Sequence, residues 1–130
     1  MIGGLLQYAE EQIELNTPDK SGYTKRQHLE SAARQGAEPE ELFAPCECPS
    51  ELFYLWEHFA YLSAKRTTDG KGNPQPITYQ NIWYYCWAHH LPPFAAWEMG
   101  AIGDIDGIWF KVRKENQPQQ ISNEGIDDGR

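Results

Sequence analysis

The chain has 130 residues, a length that fits one domain, with a formal net charge of −8 and a sequence pI near 4.9. That acidity argues against sequence-independent binding to nucleic acid or to anionic membrane, both of which require clustered Lys and Arg. Five Trp, seven Tyr and five Phe give so short a chain the bulk for an aromatic core.

No stretch reaches the roughly 20 apolar residues of a membrane span. The opening MIGGLLQYAEEQ lacks a basic start and turns acidic early, so no secretory signal is expected. Three cysteines, an odd number, fit a reducing compartment better than a disulfide framework.

In chain order, residues 3–15 form the first expected helix, with Leu5, Leu6, Ala9 and Ile13 at helical spacing and Pro18 stopping it. Thr24 opens a second. Thr24 followed by Gln27 has the form of a capping box, and Gly36 stands where a residue just past a helix end belongs. Its charged composition predicts a peripheral position. From Ala37 to Pro49 the acidic, Pro-interrupted chain reads as an ordered linker anchored by Leu42 and Phe43. Residues 1–48 carry nine acidic and four basic side chains, a balance of −5, and so hold most of the net charge.

Ser50 is expected to cap a helix over 51–64, with Leu52, Phe53, Leu55, Trp56, Phe59, Ala60 and Leu62 on its core face. Tyr54, Glu57, His58 and Tyr61 fall opposite. After the breaker-rich loop KRTTDGKGNPQP, Thr78 caps a helix over 79–90 that is expected to bury Tyr79, Ile82, Trp83 and Cys86. The segment ITYQNIWYYCW is rich in strand-favouring residues, yet it lacks period-two alternation, and helix is preferred. Pro92 and Pro93 suit a helix start, and a last helix follows to about Lys114. Phe94, Trp97, Ala101, Ile102, Ile105, Ile108, Trp109 and Val112 fill its core face. The remainder, polar and turn-rich, is expected to be a disordered tail. The expected architecture is therefore mainly α, with four to five helices around an aromatic-rich core. It divides into an acidic helical region and linker (1–48), a helical core (49–114) and the tail (115–130).

Few constellations promise chemistry. Cys46, Cys48, Cys86 and His89 or His90 have the types for tetrahedral zinc, but the Cys-x-Cys spacing is unusual and 38 positions separate Cys48 from Cys86. The plainer reading makes Cys86 a small core residue and the two histidines a helix end. His58 reads as solvated, with no nucleophile near it by local spacing. Glu98 falls inside the apolar face of the last helix, Asp104 at its edge and Asp106 beyond the opposite edge, so the three do not converge on a metal. Glu98 must instead find a backbone N–H or a basic partner, because an unpaired buried carboxylate is costly. DGKGNP lacks the spaced glycines and GK[ST] ending of a phosphate loop.

Glycine is the odd feature. Gly100, Gly103 and Gly107 share one helix, each at a cost of about 1 kcal/mol relative to Ala. On a helical wheel they form a row with Ala96, flanked by Met99 and Phe110. Either the helix breaks near Gly103, or the row lets another helix approach closely.

Three stretches, TKRQHLESAARQG, CPSELFYLWEHFAYLSAKR and ITYQNIWYYCWAHHLPPFAAWEMGAIGDIDGIWFK, are together similar to the small tail assembly chaperones of long-tailed bacteriophages, in particular the short downstream-frame type. The matching positions are Pro49, Leu55, Trp56, Phe59, Arg66, Thr78, Trp97, Glu98, Ile102, Ile105 and Asp106, and the resemblance spans about residues 24–110. It implies a non-enzymatic protein of the infected host's cytoplasm, without cofactors. It further implies binding to the tape-measure protein and tail-tube protein, keeping them assembly-competent, and a link to an upstream chaperone of which such chains are often a frameshift extension. The contacts expected from the residues are Met99, Gly100, Gly103, Gly107 and Phe110, with Tyr54 and Tyr61 as secondary candidates. The rival functions are a small zinc-binding module and an acidic inhibitor of a host DNA-binding protein.

Overall fold

The computed structural model describes residues 2–36 and 46–116. Within them lie five α-helices: α1 (Ile2–Asn16), α2 (Lys25–Arg34), α3 (Phe53–Ala64), α4 (Tyr79–Ala88) and α5 (Ala96–Asn116). No strand occurs among the described residues, only two isolated bridges that close turns.

Each boundary has a local cause. The α1 helix stops two residues before Pro18, where Thr17 Oγ1 donates to the Ile13 carbonyl at 2.7 Å. Thr24 accepts from the Gln27 N–H while the Gln27 side chain accepts from the Thr24 N–H, the capping box expected from the sequence. Just past α2, Gly36 stands at φ 105°, a conformation that Gly adopts without steric cost. Thr78 and Asn81 make a second capping box at the start of α4.

The long helix α5 is the spine. Ala101, Ile102, Ile105 and Val112 are buried along it, against Leu5, Ala9 and Ile13 of α1 and Leu55, Phe59 and Leu62 of α3. The i, i+3, i+4 spacing of these side chains is what makes one continuous interior from three helices. Where α1 passes the start of the α3 segment, Gly4 is packed so tightly that an added Cβ would lie 3.0 Å from Pro49 Cγ. As expected, α2 is peripheral and buries nothing.

Several expectations change in detail. Ser50 does not cap α3. One turn of 3₁₀-helix, Ser50–Leu52, runs into it with no side-chain cap. On α3, Phe53 and Ala60 are exposed, whereas His58, expected in water, is half-buried. On α4 only Ile82 and Cys86 are buried, and Tyr79 and Trp83 project outward. The helix touches the body along too narrow a line to cover four side chains. Pro92 and Pro93 precede α5 in irregular chain and do not open it. The helix starts at Ala96, where the Glu98 carboxylate reaches back to the Ala95 N–H at 2.7 Å. Trp97 is exposed, and Phe94 is half-buried in the lead-in. No break occurs at Gly103, since α5 is continuous through all three glycines to Asn116, two residues past the expected end. Leu42, Phe43 and the tail beyond Asn116 lie outside the described residues.

Candidate protein-binding face

The most unusual surface is built on α4. Tyr79, Trp83, Tyr84 and Trp87 are 73, 61, 54 and 71% exposed. Spacing explains the clustering, because positions 79, 83 and 87 are successive i, i+4 neighbours on one helix face. Beside this row runs an open groove of about 420 Å³, whose second wall is the segment between α4 and α5 and the first turn of α5. Tyr79, Trp83 and Trp87 form the near wall, Pro93 and Met99 the far one, and Ile82 and Cys86 the floor. Monomers seldom show so much clustered aromatic surface without using it.

The charge pattern marks the same place. From residue 72 to residue 97 there is no Asp, Glu, Lys or Arg, in a chain whose net charge is −8. The whole of α4 falls inside that run, and so does every residue lining the groove except Met99. The charge-free run is the sequence signal for this face, while helical spacing alone assigns Tyr79 and Trp83 to the core.

A buried polar joint holds α4 in place. Arg66, just past α3, pairs with Asp106 of α5, Nη2 to Oδ1 at 2.7 Å, both side chains more than nine-tenths buried. The other Asp106 oxygen accepts the Ile77 N–H at 3.0 Å, directly before α4. Arg66 also donates to the Gln75 carbonyl (3.1 Å) and to Ser63 Oγ (2.9 Å), and its guanidinium lies 3.8 Å from the Trp109 ring centroid. Asp106 was expected beyond the edge of the core face. It is buried because Arg66 and the chain entering α4 cover it, and a single-helix projection cannot see a partner 40 positions away.

A second joint sits at the other end of α4. Tyr54 Oη donates to Glu98 Oε2 at 2.6 Å, so Glu98 has found both a backbone N–H and a phenol. Burial, with the carboxylate beside it, pushes the Tyr54 phenol up to about 12. His58 packs 5.1 Å from the Phe94 ring and 5.3 Å from Tyr85, with Nδ1 2.5 Å from Tyr85 Oη. Burial holds its pKa below the ordinary histidine value.

The expected contact residues separate into groups. Met99 lines the groove. Gly100, Gly103 and Gly107 are exposed, and a Cβ on any of them would meet nothing within 4 Å. Phe110 is half-buried, its ring 5.2 Å from the Arg66 guanidinium. Tyr61 is exposed on the far side of α4, tilted against Tyr85 at 5.2 Å. Tyr54 is half-buried and committed to Glu98.

Little in the arrangement suits a metal. Among the described residues no three His, Cys, Asp or Glu side chains converge on a common point. Cys86 is buried with its thiol pKa raised by burial, the reverse of a metal-ready thiolate. Cys46 lies against α1, its N–H donating to the Glu11 carboxylate at 3.0 Å. In the 69–73 loop Asp69 accepts from the N–H groups of Lys71 (2.8 Å) and Asn73 (2.9 Å), donors that a phosphate would need. No helix of the described residues is long and apolar enough to cross a membrane.

Searches of curated proteins and of solved structures give no significant match. A family model described as phage tail assembly chaperone matches residues 31–111. The match takes in Arg66, Asp106 and the whole aromatic face, and with more than half of its length inside it, this chain belongs to the phage tail assembly chaperone family.

Proposed function

We propose that this tail assembly chaperone acts by binding the tape-measure protein, the tail-tube protein or both in the host cytoplasm, holding them soluble until assembly, without catalysis. The observation that carries the reading is the uncharged aromatic face of α4 on an otherwise acidic body. A tail protein that must not aggregate before assembly has apolar surface to cover, and burying it against aromatics is favourable at roughly 25 cal/mol per Å². The remaining acidic surface then keeps the complex dispersed through like-charge repulsion.

The contact surface we assign runs from α4 over Met99 and along Gly100, Gly103 and Gly107 to Phe110. Tyr61 extends it on the other side of α4. Tyr54 acts from beneath by fixing Glu98 and the start of α5.

Co-expression with the tape-measure and tail-tube proteins of the same phage, followed by pull-down and light scattering, tests the reading. A soluble complex with either one is expected. An inert monomer that leaves both proteins insoluble would contradict it.

A further inference from the structure

We infer that the groove between α4 and the first turn of α5 takes the uncharged apolar stripe of an α-helix in the tail partner. The inference rests on the chaperone reading and adds where the partner docks and what chemistry it presents.

Shape, area and charge point the same way. The groove is bounded by a helix on one side and the segment from Pro93 to Met99 on the other, and is open to solvent. Its ridge, formed by Tyr79, Trp83 and Trp87, climbs the helix in i, i+4 steps, the spacing that interdigitates with side chains of a second helix. From their exposures, Tyr79, Trp83 and Trp87 offer on the order of 400 Å² to the groove, about half of the roughly 800 Å² per partner of a stable interface. None of the nine lining residues carries a formal charge. Their polar groups at the ridge are the Tyr79 hydroxyl and the two indole N–H groups. A partner charge seated here would lose water without gaining a counter-charge, so the complementary surface is apolar and neutral.

A second copy of the chain fits less well. Each copy carries a net charge of −8, and pairing brings two such bodies together with no cation in the groove to offset them. A helix from a partner that does not share this net negative charge brings no such penalty.

The test is affinity between the full chain and the tape-measure or tail-tube protein, for wild type, Trp83→Ala, Trp87→Ala and Tyr23→Ala, at low and high salt. Tyr23 is an exposed aromatic away from the groove and serves as control. All four proteins should show the same helical circular dichroism, because the substituted side chains are exposed. Expected is a loss of about tenfold or more for each Trp variant, none for Tyr23→Ala, and less than about twofold change with salt. Wild-type affinity in both Trp variants would overturn the groove assignment and leave the chaperone reading standing. Steep weakening by salt would overturn it too, by assigning recognition to the acidic surface. A dimer that grows with salt and disappears in Trp83→Ala would give the groove to a second copy. Failure of the wild type to bind either tail protein would overturn the chaperone reading itself.

Discussion

Asp106 binds two things at once: the guanidinium of Arg66, 2.7 Å away, and the backbone N–H of Ile77, 3.0 Å away. One carboxylate thus joins the end of α3, the entry to α4 and the middle of α5. The proposed binding face stands on α4, and α4 buries only Ile82 and Cys86 itself. Its placement therefore depends on this joint.

Replacing Asp106 with Ala leaves a buried cation without a counter-charge and an N–H without an acceptor. A loss of about 3–5 kcal/mol is expected by urea unfolding. Asp106→Asn keeps an acceptor for Ile77 and should lose less. The double variant Arg66→Met/Asp106→Leu should recover much of the loss, since no buried charge remains. A loss under about 1 kcal/mol for Asp106→Ala would mean that the joint is incidental.

The glycines of α5 separate folding from binding. An Ala at Gly103 or Gly107 meets open space and removes backbone freedom from the unfolded chain. Each substitution should therefore stabilise by about 0.5–1 kcal/mol, read as a higher Tm. If the row is a contact, the same variants should bind the tail partner more weakly. Increased stability with unchanged binding would remove the row from the interface and leave the aromatic groove intact.

His58 gives the fold a pH dependence of known sign. Burial lowers its pKa below the ordinary value of 6.5, so the unfolded state takes up the proton first as pH falls. The stability it contributes is fully present above about pH 6.5, and it is lost as pH drops through the lowered folded value. Thermal unfolding followed between pH 7.5 and 5 should show Tm falling with pH. In His58→Gln that slope should be shallower, and an identical slope would place the titration elsewhere.

Metal plays no part in this account. Dialysis against EDTA should leave Tm unchanged, and the purified protein should contain well under one zinc per chain. Stoichiometric zinc, with lower Tm after chelation, would revive the ligand set Cys46, Cys48, Cys86 and His89.

The helices were legible because their signals are local. Thr24 with Gln27 and Leu5, Ala9 and Ile13 all act within a turn or two. The position of Glu98 on the apolar face also foretold a partner, though not which one. What failed depends on how elements meet. Tyr79 and Trp83 have the composition of a core, and only the thin contact of α4 with the body turns them outward. Asp106 looks like a surface carboxylate until Arg66 closes over it. His58 looks solvated until Tyr85 and Phe94 arrive from other segments. Two features of the sequence do bear on these meetings of elements: the charge-free run from 72 to 97, and the joint occurrence of Arg66 and Asp106 among the family positions.

The most direct test of the central claim is hydrogen exchange of this chain alone and in complex with the co-expressed tail protein. The prediction is slower exchange confined to peptides covering Tyr79–Met99, the stretch of α5 from Gly100 to Phe110 and the end of α3 that carries Tyr61, with α2 unchanged. Protection confined to α1 and α2, with none at α4, would contradict it.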